Sequence, residues 1–168
     1  MKMAPDLYEL YAEFGIAAEM AQVMEVEAGN AALSYLAMFV DTDRITPEET
    51  DMFRSVIDDV NRKTLGAMLK HIKAFGNFDD KLVEIVDKAL ERRNYLTHKF
   101  FRTHNFAIQS ESGRMEMITE LTQIQSALQL GTGVLTAVTN SLTHFAGRVD
   151  QTAEVVDRLV ARGKRIDI

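Results

Sequence analysis

The stretch LYAEFGIAAEMAQVMEVEAGNAALSYLAM, residues 10–38, decides the fold, because its apolar residues recur in alternating steps of three and four. This spacing places them along one face of an α-helix, in the heptad-like seam of helices that pack at shallow angles. We therefore predict a long first helix that runs from Pro5 to about Asp41. Its seam consists of Leu10, Phe14, Ala17, Ala21, Met24, Ala28, Ala31, Tyr35 and Met38.

Two further helical segments follow in the middle of the chain. Thr46-Pro-Glu-Glu49 is a capping box with proline at the first helical position, and it predicts a second segment that ends at Gly76-Asn77. A third segment begins at Asp79 or Asp80 and runs to about His104. Alternating apolar and polar runs of the kind that form strands are absent from the sequence.

A last long helix opens near Gly113, after the turn QSESG at residues 109–113. We expect Gly131 and Gly133 to be weak points in it, because glycine lowers helix stability. Its seam is Met117, Leu121, Ile124, Leu128, Leu135, Val138, Leu142 and Phe145. The sequence therefore predicts an all-α bundle of four or five helices with long first and last helices. We expect a single domain over residues 1–168, with a frayed tail after about residue 163.

The composition is that of an ordinary globular protein: 168 residues, 46% hydrophobic and 26% charged, with a net charge of −6. A pI near 5.2 argues against a surface that grips nucleic acid everywhere, so any phosphate site must be local. The absence of cysteine excludes disulfides and thiolate metal sites. No apolar run approaches the ~20 residues of a transmembrane helix. We expect a soluble, cytoplasmic protein that does not bind membranes.

One segment departs from this acidic character: ERRNYLTHKFFRTHNF, residues 91–106, has four Arg or Lys, two His and interleaved aromatic residues. On a helical wheel, Arg93 lies close to the middle of the apolar face, with Asn94 at its edge and His98 just beyond. Arg92, Lys99 and Arg102 point elsewhere and form a solvated basic side. We consider these three residues candidates for binding RNA.

A second charge interrupts an apolar stripe, since Glu25 lies among alanines on the inner face of the first helix. An unpaired buried charge costs several kcal/mol, so two misplaced charges of opposite sign are expected to meet. We predict a structural ion pair between Glu25 and Arg93, in the core or at a subunit interface, with Glu120 as the alternative acid.

The segment RNYLTH, Arg93-Asn94-x-x-x-His98, resembles the R-x(4–6)-H motif of the HEPN superfamily of small helical bundles. The resemblance implies metal-independent RNA cleavage without a cofactor. His98 would act as general base or acid at a ribose 2′-hydroxyl, Arg93 would hold the scissile phosphate, and Asn94 would orient one of them. It also implies a homodimer that brings two motifs together, and a toxin or defence role with an antitoxin protein as partner.

Two other functions stay open. The chain is alternatively a non-enzymatic dimerisation or interaction module in which Arg93 is structural. Surplus seam positions on the first and last helices favour a homodimer on either interpretation. A metal-binding helical bundle is the third class, but the four histidines have no convincing carboxylate–histidine spacing, so we assign no metal ligand.

Overall fold

The computed structural model describes residues 4–37, 46–48, 51 and 79–145, and it is all helical. Helix α1 spans Pro5–Ala37, α2 spans Asp80–His98, the short α3 spans Phe100–Thr103 and α4 spans Glu111–Phe145. A 3₁₀ turn at Ala107–Gln109 precedes α4. The prediction of an all-α bundle with long first and last helices is confirmed.

Parts of the prediction fall outside these residues. Pro47, Glu48 and Asp51 are helical, as the capping box predicts, but the rest of the second segment lies outside the described residues, as does the tail after 145. The chain divides into two compact units, and the prediction of a single domain stays a prediction. One unit comprises Met1–Glu27 with Gly76–Leu135, and the other comprises Ala28–Phe75 with Thr136–Ile168.

The first unit contains three long helical segments whose directions follow from their contacts. The starts of α1 and α4 meet where Arg114 Nε donates to Asp6 Oδ2 over 2.5 Å, and Gln125 Nε2 donates to the Glu13 backbone oxygen over 3.1 Å. These two helices are therefore parallel. In α2 the order is reversed, because Arg93 meets Glu25 whereas Phe100, which follows it in the chain, meets Phe14.

The core of this unit contains residues of the predicted α1 and α4 seams together with residues of α2 and α3. Burying such residues contributes on the order of 1.5–3 kcal/mol for each large side chain. The fully or nearly fully buried residues are Leu10, Ala17, Ala21 and Met24 on α1, Val86, Ala89, Leu96 and Phe100 on α2 and α3, and Met117, Leu121, Ile124, Leu128 and Leu135 on α4. In the second unit, Ala28 and Ala31 continue the α1 seam and are buried.

Glycine 131 lets the helices of this core approach closely. A Cβ atom at this position would overlap the methyl group of Ala89 and lie 3.2 Å from Met24 Cε. Helix α4 runs through Gly131 and Gly133 without interruption, so the expected weak points are not breaks. At Gly133 a Cβ would meet nothing within 4 Å.

The third segment ends where the sequence predicts but contains an interruption. Helix α2 ends at His98, Lys99 turns the backbone (φ −127°, ψ −27°), and α3 continues to Thr103, next to the predicted end at about His104. After this turn, Phe100 and Phe101 both lie against Phe14, at centroid distances of 5.9 and 4.7 Å.

The last helix begins at Glu111, two residues before the predicted start near Gly113. The Ser110 hydroxyl accepts a hydrogen bond from the Gly113 backbone N–H over 3.1 Å, as an N-cap residue does. At the start of α2, Asp79 Oδ1 likewise accepts from the Lys81 N–H over 2.8 Å, which agrees with the predicted start.

Candidate functional site

Arg93 lies on α2 opposite Glu25 of α1, the partner that the sequence analysis assigns to it. Its Nη2 donates to Glu25 Oε1. The pair is not in the deep core, because 19% of the Arg93 side chain and 35% of the Glu25 side chain are exposed. Arg93 Nε is nevertheless buried and has no hydrogen-bond partner. The guanidinium is therefore bound to its own chain on one side and shielded from solvent at Nε.

The other two residues of the R-x4-H segment lie outside this contact. Asn94 is exposed, and its Oδ1 accepts a hydrogen bond from Arg93 Nη1 over 3.0 Å. His98 is exposed at the last position of α2, and within the part of the chain that the structure describes its side chain has no hydrogen bond or ion pair. Arg93 and His98 are about 140° apart around the helix, since each residue turns it by 100°. One chain therefore brings Arg93 and Asn94 together but does not bring His98 to them.

The predicted RNA-binding residues belong to a larger set of cations, which we call the basic stripe: Lys81, Lys88, Arg92, Lys99 and Arg102. At 100° per residue, Lys81, Lys88 and Arg92 lie within about 40° of one another on α2. Lys99 and Arg102 come next in the chain, at the turn after α2 and in α3. Sequence reasoning found only the last three residues, because Lys81 and Lys88 lie among acids in the sequence and the helical spacing is what aligns them.

The cations of the basic stripe are not paired with acids in the described part of the chain. Arg92 is half-buried and the other four members are exposed. Among the described residues, none of the five forms an ion pair or a side-chain hydrogen bond, whereas the remaining basic side chains, Arg93 and Arg114, are each held by a carboxylate. Exposed cations that are not neutralised by the protein remain available to an anionic ligand.

A groove of about 580 Å³ runs beside the first half of the stripe, between α2 and α4. Three stripe members line it, together with one acid, Glu84. Its apolar lining is Ile85, Ala127 and Leu130, and its uncharged polar lining is Gln123 and Ser126. The groove therefore combines a cationic wall, an apolar floor and uncharged hydrogen-bonding groups.

A cluster of titratable groups that sequence reasoning missed lies behind the second half of the stripe. His104 Nε2 is 2.5 Å from Glu120 Oε2 and 3.4 Å from the Tyr95 hydroxyl. A carboxylate oxygen accepts hydrogen bonds, so this contact requires the imidazole tautomer in which Nε2 is the donor. Glu120, considered above as a partner for Arg93, thus binds His104 in its place.

Burial raises the pKa of Tyr95, and the neighbouring Glu120 carboxylate raises it further, although Thr103 and Arg92 act in the opposite direction. The His104 ring packs on Phe100 with a centroid distance of 5.0 Å. The side chains of this cluster are partly buried, with 18% of His104 and 26% of Glu120 exposed. The cluster joins α2, the segment after α3 and α4, so only the folded chain brings these three residues together.

The described residues contain no group of three or more histidine, aspartate or glutamate side chains placed to hold a metal ion. No helix among them has the length and apolar content required to cross a membrane. Comparisons of the chain with protein-family models, with curated proteins and with solved structures give no match.

Proposed function

We propose that this chain is an RNA-directed protein that binds the phosphate backbone through the basic stripe. The observation that carries the proposal is the basic stripe, whose five cations have no ion-pair partner among the described residues, in a chain whose net charge is −6. Lys and Arg side chains that contact phosphates release counterions and supply most of the affinity for nucleic acid. The predicted RNA-binding residues Arg92, Lys99 and Arg102 form the second half of this surface.

The distribution of acids supports a localised site. Helix α1 has no Lys or Arg, and its acidic residues are Asp6, Glu9, Glu13, Glu19, Glu25 and Glu27. An α1 surface of this kind repels a polyanion, whereas the stripe attracts one, so RNA is directed to one side.

The Arg93–Glu25 contact favours binding over cleavage within a single chain. A guanidinium already held by a carboxylate must give up that contact before it can hold a scissile phosphate. Metal-independent cleavage is the second candidate function. It is favoured by His98, which is exposed beside Lys99 and has no side-chain partner in the described part of the chain. In that proposal Arg93 or Asn94 of a second copy would complete the site, and an inhibitory antitoxin would be the natural partner.

We also propose that the protein is a homodimer formed through α1. Four large apolar side chains on the outside of this helix are exposed, by 68% at Tyr8, 45% at Ile16, 46% at Val23 and 50% at Val26. They recur with helical spacing on the side of α1 away from its buried seam. A second copy of the chain is the proposed occupant, because the same apolar stripe on each partner is self-complementary about a two-fold axis.

The experiment that tests RNA binding is a titration of a labelled 20-nucleotide RNA with wild type and with Lys88→Gln/Arg92→Gln. We expect the double variant to bind about tenfold more weakly or worse, because it loses two phosphate contacts. Gln22→Glu/Gln129→Glu is the control, since it makes the same change in net charge at exposed positions that do not line the groove. Equal losses in both proteins would show that net charge and not the stripe determines binding.

Cleavage is tested in the same preparation, freed of any bound inhibitor. The ribonuclease proposal expects wild type to cut a mixed RNA pool in the presence of EDTA and His98→Ala to be inactive but folded. The binding proposal expects neither protein to cut.

A further inference from the structure

We infer that the groove between α2 and α4 holds an unstacked base, so that the RNA bound by this protein is single-stranded. This inference rests on the proposed function, because it concerns the ligand of the same surface. The two walls of the groove differ in chemistry along its whole length.

The α2 wall provides phosphate contacts. Lys81, Lys88 and Arg92 extend over about 16 Å of helix, at 1.5 Å per residue. They are the members of the basic stripe that border the groove. A backbone running along α2 therefore passes directly over the groove opening, and its bases can turn towards the floor.

The floor provides an apolar surface of the size of a base. Ile85 and Ala127 are half-buried, and 62% of Leu130 is exposed on the same side. A volume of about 580 Å³ accommodates a planar base with room for the adjoining sugar. Apolar contact with a base face is tolerant of sequence, because every base has such a face.

The α4 wall provides groups that can contact a base edge. Gln123 presents an amide that both donates and accepts, and in the described residues it has no hydrogen-bond partner. The Ser126 hydroxyl donates to the Thr122 backbone oxygen over 3.0 Å, which leaves its oxygen free to accept from a ligand. In a regular RNA duplex the bases are stacked and paired, and nothing on the ligand could fill the groove.

Charge selects RNA over an acidic protein helix as the occupant. Three cations line one side of the groove, which suits a ligand with closely spaced charges along one edge. The single acid, Glu84, lies within the α2 wall and would oppose a phosphate near it. Glu84→Gln is therefore expected to strengthen binding of single-stranded RNA severalfold, since it removes a like-charge repulsion.

The test compares three probes on the wild-type protein: a 12-nucleotide single-stranded RNA, its duplex, and inorganic polyphosphate with a similar number of charges. We expect the single strand to bind about tenfold more tightly than polyphosphate, because base contacts add to the phosphate contacts. The duplex should bind more weakly than the single strand at equal ionic strength.

A second experiment uses a variant that fills the groove. Ala127→Leu occupies the floor and should lower single-strand affinity about tenfold while leaving polyphosphate binding unchanged. Ala137→Leu is the matched control, because Ala137 is exposed on the same helix and does not line the groove.

The outcomes separate this inference from the proposed function. If the three probes bind equally and Ala127→Leu has no effect, while Lys88→Gln/Arg92→Gln still weakens binding, the base pocket is wrong and the stripe stands. If no RNA binds, both are wrong. If an acidic amphipathic peptide binds more tightly than RNA and displaces it, the groove is a protein-docking site and the inference fails.

Discussion

The Arg93–Glu25 contact predicts an asymmetric response to removing one partner or the other. Glu25→Gln keeps the shape of the side chain but leaves the guanidinium, which is 19% exposed and has a buried Nε, without its charge partner. Arg93→Met keeps the packing of the aliphatic stem and leaves a carboxylate that is 35% exposed and can be hydrated. Because Arg93 is the more buried partner, Glu25→Gln should lower the free energy of unfolding more than Arg93→Met does.

The magnitude follows from these exposures. Exposed ion pairs contribute about 0–1 kcal/mol, and removing one partner of a fully buried pair costs about 3–5 kcal/mol. The pair is intermediate, so we expect Glu25→Gln to lower the free energy of unfolding by about 2 kcal/mol. Arg93→Met should cost about 1 kcal/mol or less.

The assay is urea unfolding followed by far-UV circular dichroism, with Glu91→Gln as the control because Glu91 is exposed on the helix that carries Arg93. The control should be within about 0.5 kcal/mol of wild type. Equal stability of Glu25→Gln and the control would refute the structural role of the pair. If Arg93→Met destabilised the protein more than Glu25→Gln, the argument from burial would be refuted.

Three further predictions concern packing and titration. Gly131→Ala should destabilise by about 1–3 kcal/mol, because the new methyl group meets Ala89, whereas Gly133→Ala should stabilise by up to about 1 kcal/mol in the same urea assay. The hydrogen bond from Arg114 lowers the pKa of Asp6 in the folded state. The stabilisation by this ionised carboxylate is therefore present above pH 3.8 and is lost as the pH falls through the folded-state pKa. Asp6→Asn should remove this part of the pH dependence of the unfolding free energy. Burial raises the pKa of Tyr95, so its hydroxyl binds the proton more tightly in the folded than in the unfolded chain. The free energy of unfolding should therefore fall as the pH rises above 10, and Tyr95→Phe should reduce that fall.

Sequence periodicity was sufficient for the helices and their seams, because burial of one helical face leaves a local signal. Gly131 shows where local reasoning fails: the sequence marks it as a weak helix former, and only the position of Ala89 on another helix explains why no side chain fits. The turn at Lys99 is also not marked in the sequence, and the contacts of Phe100 and Phe101 with Phe14 on another helix follow it.

Only part of the candidate site could be predicted from the sequence. The Glu25–Arg93 partnership could be predicted because each charge interrupts an apolar pattern. The contact between His104 and Glu120 could not, since neither residue interrupts such a pattern and the two belong to segments separated by a turn. The groove also depends on how α2 and α4 align, which no single segment encodes.

The measurement that tests the central claim most directly is the salt dependence of single-stranded RNA binding by wild type and by stripe variants. Each phosphate contact with a single strand adds about 0.7 to the slope of log K against log salt concentration, so five contacts predict a slope near −3.5. Lys88→Gln/Arg92→Gln should reduce its magnitude by about 1.4, and the charge-matched Gln22→Glu/Gln129→Glu should not change it. A wild-type slope near zero, or the same slope in all three proteins, would contradict RNA binding through the basic stripe.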